Sequence, residues 1–207
     1  MAGRSPGMYL AYITQVLVGF NVLIALLFKP SDVVIGTILF LIGLAIYLFS
    51  WKTKIHFPWF VYFLTSLAIL IHVSGYIQER YITFVNWDIL AHTVSGTIVA
   101  LIGFLVILFL DKIQKYNLDP SFIAFFIVLF GMGCEYIWEI WEFFMDTFFG
   151  GSLAGLMQPN NADTMTDMIF VLIASLIVAI GCYFYLRHYK KEEIFNTMVK
   201  DSSYLKI

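Results

Sequence analysis

Residues 133–146 read GCEYIWEIWEFFMD, with Glu135, Glu139, Glu142 and Asp146 spaced by four, three and four residues. At about 100° per residue these carboxylates fall in one helical stripe about 60° wide. Tyr136, Ile140, Phe143 and Phe144 take other directions, and Trp138 and Trp141 flank the stripe. Two more segments repeat the spacing. WDILAHTVSG places Asp88, His92 and Ser95 at i, i+4 and i+7, and DTMTD places Asp163 and Asp167 at i and i+4. His72, with Tyr76 one turn further on, adds a second imidazole. Imidazoles and carboxylates on facing helices can hold a divalent cation, move protons, or both.

The elements that must position these groups follow from composition. Of 207 residues, 61% are hydrophobic, 18% aromatic and only 13% charged, far from the usage of a soluble domain. Apolar runs at 8–28, 33–51, 58–77, 88–110, 121–148 and 163–186 are each long enough to cross a hydrocarbon core of about 30 Å. An open sheet cannot satisfy its backbone in lipid, so the runs should be helices. The expected fold is all-α: a polytopic integral membrane protein with six transmembrane helices in one bundle. A single domain covers 1–207, since the connections are short and no composition shift marks a second one. The first run is longer than a signal-peptide core and no small-residue cleavage pattern follows it before Lys29 and Pro30, so it is expected to remain as a helix.

If the runs alternate across the membrane, one side holds Arg4, Lys52, Lys54, Lys112, Lys115, Arg187, Lys190, Lys191, Lys200 and Lys206, and the other only Lys29 and Arg80. Basic short loops stay in the cytoplasm, so both termini are expected inside a cell membrane. The tail 187–207 is charged and reads as a partly ordered cytoplasmic segment, with an extension of the last span or a segment lying on the inner membrane surface as the alternatives. Cys134 and Cys182 fall in different spans, and no disulfide is expected.

This topology brings Asp88, His92, Asp163 and Asp167 into first turns at the outer side, and His72, Tyr76, Glu142 and Asp146 into last turns at that same side. Glu135 lies about 16 Å below Asp146 at 1.5 Å per residue. Asp88 and Asp163 can also be read as helix caps, with Asn161 as another cap for the last span, and Asp146 as a solvated interfacial residue. Glu135 and Glu139 have no such explanation, because an acid at mid-span costs about 2.5–3.5 kcal/mol to insert. Protonation and hydrogen bonding to neighbouring Tyr, Trp or Ser would be a purely structural answer. No Lys or Arg occurs within 33–50, 59–77, 87–110 or 121–186. Protons or bound cations must therefore balance these acids. A mixed His and carboxylate set suits zinc, iron or manganese.

WDILAHTVSG, the acidic helix EYIWEIWEFFMD and DTMTDMIF together resemble the uncharacterised prokaryotic YjdF-like polytopic membrane proteins and, more distantly, the VanZ-like proteins. The resemblance covers about 58–186, with Asp88, His92, Glu135, Glu139, Glu142 and Asp167 as the matching positions. It implies an outward-facing role at the cell envelope. The Gln and Arg that follow the acids in the VanZ-like pattern are not evident here.

The expected function is a metal-dependent enzyme, a hydrolase or transferase, acting on a lipid-linked or cell-envelope substrate. His92, Glu139, Glu142 and Asp167 are the expected ligands of a divalent metal ion, with His72, Asp146 and Asp163 as additional candidates. Glu135 and Asp88 are the expected catalytic groups, Glu135 as a buried acid or base and Asp88 orienting or supplementing His92. Membrane lipids are the expected surroundings, nucleic acid is not an expected partner, and an oligomer is left open. The alternatives are a cation or proton-coupled transporter and a noncatalytic scaffold. The inner halves of the spans, SFIAFFIVLFG and LIGFLVILFL, carry almost no polar group, which favours a closed pocket over a channel.

Overall fold

The computed structural model describes residues 6–150 and 156–199. Arg4, Lys200 and Lys206 of the charge count, part of the Gly-rich connection at 151–155, and the end of the tail lie outside the described residues. The described residues contain helices and no strands. In order these are α1 (Pro6–Phe28), a 3-10 turn (Pro30–Asp32), α2 (Val33–Thr53), α3 (Trp59–Ile77), the short α4 (Arg80–Thr83), α5 (Trp87–Gln114), α6 (Pro120–Phe149), α7 (Asn161–His188) and α8 (Lys191–Val199). Six of them, α1, α2, α3, α5, α6 and α7, are long and apolar enough to cross a membrane, and their ends lie within a few residues of the apolar runs.

Local chemistry sets those ends. Pro58 occupies the N-cap of α3, and Pro120 the first turn of α6 behind Asp119. The Asp119 carboxylate accepts from the Ser121 backbone N–H at 2.8 Å. That bond holds its carboxyl below the usual range. The cap is therefore complete at neutral pH and is lost as pH falls through the carboxyl's lowered folded pKa. Gly150 closes α6 at φ 75°, a left-handed conformation that glycine adopts without a Cβ clash. At α7 the cap is Asn160, whose side-chain oxygen accepts from the N–H groups of Ala162 and Asp163, so neither Asp163 nor Asn161 plays that part.

The helices fall into two compact units, 6–91 with 197–199, and 92–196. In the first, α1, α2 and α3 pack through Val18, Ala25, Val73 and Ile77, and through Met8, Ala11 and Tyr62. Two of its buried polar side chains bond across helices: Gln15 donates to the Phe40 carbonyl, and Asn21 accepts from Gln78. In the second unit, α5, α6 and α7 approach closely at glycines. A Cβ at Gly96 would stand 2.9 Å from Val171, and one at Gly103 2.8 Å from Phe130. Small residues at such crossings let membrane helices gain van der Waals contact where no hydrophobic driving force exists.

The tail is more ordered than its charge suggests. Phe195 is buried against Phe109, with ring centroids 5.0 Å apart, and Lys112 lies over its ring. Lys191 donates to the buried Asp111 carboxylate at 2.6 Å and to the Leu118 carbonyl at 2.8 Å. The other Asp111 oxygen accepts from the Leu118 N–H at 2.8 Å. Replacing Lys191 with alanine strips a buried carboxylate of its cation, a loss of about 1–3 kcal/mol. Limited chymotrypsin digestion should then cut after Phe195 several-fold faster than in the wild type, and an unchanged rate would exclude this anchor.

Candidate functional site

The acids of α6 face inward as their spacing requires. Glu135, Glu139 and Glu142 are all buried, as are His92 on α5 and Asp167 on α7, while Tyr136, Ile140 and Phe143, on the adjoining face of α6, are exposed. These five ionisable side chains come from three helices of one unit.

His92 is the hub. Its Nδ1 lies 2.7 Å from Glu135 Oε1 and its Nε2 lies 3.9 Å from Glu142 Oε1. A carboxylate on Nδ1 sets the tautomer with the proton there, leaving the Nε2 lone pair directed away. Candidate ligand atoms of His92, Glu135 and Glu139 lie within 4.8 Å of one another, and those of His92 and Asp167 are equally close. Glu142 also accepts from the Trp138 indole N–H at 2.7 Å. Glu139 receives Gln158, whose amide donates to its carboxylate and, at 2.9 Å, to its backbone carbonyl. The second carboxylate oxygen of Glu139, Oε1, is buried with no hydrogen-bond partner.

Of the remaining expected residues, Asp146 and His72 have other neighbours. Asp146 at the end of the stripe accepts from the Met157 and Gln158 backbone N–H groups at 2.8 and 2.7 Å, so it shapes the connection between α6 and α7. His72 belongs to the other unit, where its Nδ1 lies 2.7 Å from the Tyr81 hydroxyl. Asp88 stands in the first turn of α5, one turn before His92, and Asp163 in the first turn of α7, one turn before Asp167. Cys134 and Cys182 are free.

Two participants escaped the sequence. Trp138 sits four residues before Glu142, a spacing that could have identified it as a partner on the same helix. Gln158 lies in an irregular connection, where no periodicity marks which side chain turns inward.

Beside Glu139 opens a pocket of about 460 Å³, lined by Tyr136, Ile140 and Phe143 of α6, Met168 and Thr164 of α7, and Gln158, Asn160 and Asn161. Uncharged amides and a hydroxyl meet an apolar wall there, with Glu139 as the acidic member.

No curated protein and no solved structure matches the chain. The family described as "Predicted membrane protein (DUF2238)" matches residues 9–188, which include every helix of the site and five of the six apolar spans in full. The chain therefore belongs to the DUF2238 family of predicted membrane proteins.

Proposed function

We propose that His92, Glu139, Glu142 and Asp167 hold a divalent metal ion, and that the protein is a metal-dependent hydrolase or transferase acting on a lipid-linked or cell-envelope substrate. The observation that carries this reading is the buried, partnerless Oε1 of Glu139 beside His92 and further carboxylates. No cationic side chain exists in α5, α6 or α7 between 87 and 110 or between 121 and 186 to neutralise them. A carboxylate oxygen in that setting calls for a cation or a proton.

The donor set fits a metal. Ligand atoms around a tetrahedral ion stand about 3.4 Å apart at bond lengths of about 2.1 Å. Around His92 the spacings of candidate ligand atoms are of that order, 3.9 Å to Glu142 and within 4.8 Å to Glu139 and to Asp167. One imidazole with several carboxylates suits zinc, iron or manganese better than calcium or magnesium. A bound ion of this kind would supply Lewis acidity towards a phosphoryl or carbonyl oxygen.

The chain's own groups then have distinct tasks. Glu135 holds the His92 ring through Nδ1 and can take or return a proton there, which joins the buried acid-base role to an orienting one. Trp138 fixes the Glu142 carboxylate, and Gln158 fixes that of Glu139. Asp88, one turn before His92, supplements the pair. The apolar stretch beyond the site, with Phe104, Leu105, Ile107 and Leu108 of α5 and Ile123 and Ile127 of α6 all buried, excludes water and supports a closed pocket over a transport path. The excess of basic residues at the other ends of the spans supports cytoplasmic termini and a site facing outward.

Metal analysis of purified protein tests this. Wild type loaded with zinc or manganese should retain about one ion per site, and Glu139→Ala and Asp167→Ala should lose it. Glu135→Gln should bind about 10–100-fold more weakly, the usual effect of removing a group that orients a ligand. A wild type that keeps no metal, and whose melting temperature does not respond to added metal, would sink the proposal.

A further inference from the structure

The pocket beside Glu139 is built asymmetrically. Tyr136, Ile140 and Phe143 recur at i, i+4 and i+7 along α6 and are 59%, 49% and 61% exposed, so on a membrane-spanning helix they face acyl chains. Opposite them, at the start of α7, stand Asn160, Asn161, Thr164 and Gln158. Glu139 lies where the two walls meet and carries the buried oxygen without a partner.

We propose that this pocket admits a bilayer lipid from the side, its chain lying over Tyr136, Ile140 and Phe143 and its headgroup entering towards Glu139. The lining decides the class of headgroup. Among the described residues no Lys or Arg lines the pocket and its one charged member is a carboxylate, so the side chains themselves offer no cation to an anionic headgroup. Two asparagines, a glutamine, a threonine hydroxyl and a carboxylate are instead the donors and acceptors that hydroxyl groups require. Asn160 spends its side-chain oxygen on the cap of α7, which leaves its amide N–H groups to donate. Tyr136 and Phe143 offer aromatic faces to the apolar side of a sugar ring. A volume of about 460 Å³ suits a one- or two-sugar headgroup and not a whole lipid. The ligand class is a glycolipid with an uncharged, hydroxyl-rich headgroup.

This deepens the metal-enzyme reading by naming its substrate class, and it rests on that reading for the chemistry alone, so binding can be measured separately. The protein is placed in phosphatidylcholine nanodiscs doped equally with diglucosyl diacylglycerol, phosphatidylglycerol and phosphatidylethanolamine, in chelator-treated buffer. Lipids retained on mild detergent extraction are counted by native mass spectrometry. Retention of the diglucosyl lipid should exceed that of the other two at least five-fold. Ile140→Trp, which fills the pocket from its exposed wall, should abolish the excess, whereas Ile177→Trp on an exposed position of α7 outside the pocket should preserve it. Equal retention of all three lipids, preference for phosphatidylglycerol, or an excess unchanged in Ile140→Trp would overturn the assignment. Metal content of the same variants, measured on separate samples loaded with zinc or manganese and freed of excess ion, separates the two readings: wild type that binds the lipid but retains no metal keeps this inference and removes the other. Wild type that binds metal without lipid preference does the reverse.

Discussion

Replacing His92 with leucine is expected to destabilise the protein by about 3–5 kcal/mol, the cost of removing one partner from a buried ion-paired or hydrogen-bonded set. The imidazole is the shared neighbour of Glu135, at 2.7 Å, and Glu142, at 3.9 Å. Without it two buried carboxylates face each other across a site that has no lysine or arginine. The double substitution His92→Leu with Glu135→Leu should recover part of the loss, because the nearer of the two orphaned carboxylates is gone, its space is filled by apolar volume, and Glu142 keeps the Trp138 indole N–H. Reversible thermal or denaturant unfolding in detergent, run without added metal on both singles and the double, gives the coupling directly. Additive losses would mean that His92 and Glu135 do not depend on one another.

The second large effect is expected at Gly96, one turn beyond His92 on α5. A Cβ there would stand 2.9 and 3.0 Å from the two methyl carbons of Val171 and 3.2 Å from its Cβ. Val171 is buried and one turn beyond Asp167 on α7, and its branched side chain has no free rotamer to turn into. Gly96→Leu should therefore wedge α5 from α7 directly beneath the facing His92 and Asp167, at a cost of about 1–3 kcal/mol or more. Gly96→Ala should lose less, since its better helix propensity offsets up to about 1 kcal/mol. The consequence for the proposed metal site is specific: metal retention should fall in Gly96→Leu although none of the proposed ligands has been touched. Val171→Ala in the Gly96→Ala background should restore both stability and binding. Restoration of neither would show that the crossing at Gly96 does not set the spacing of the site.

Much of this architecture was already legible in the chain. Lipid demands continuous apolar helices, so six spans could be read from run length alone, and their ends agree to within a few residues because Pro58, Asp119, Pro120 and Gly150 carry strong terminal preferences. The helical period likewise determines that Glu135, Glu139 and Glu142 share a face, and their cost in lipid determines that the face turns inward. Reading charge by type separated the site from its surroundings, since no Lys or Arg was present in the apolar runs.

Only the tertiary structure decided who meets whom. Period places a side chain on a stripe, but rotamer choice and helix crossing assign Glu135 to Nδ1 of His92 and leave Glu142 facing Nε2. The irregular connection before α7 has no period at all, yet it delivers Gln158 to Glu139 and uses Asp146 to hold its own backbone. His72, level with the acids on a linear map, is taken by Tyr81 in the other unit. The tail, charged enough to read as loosely ordered, is pinned by Phe195 and Lys191. Sequence spacing is a local quantity, and it determined the helices and the stripe. Pairing among side chains far apart in the chain depends on helix packing and loop closure, and that only the folded molecule decides.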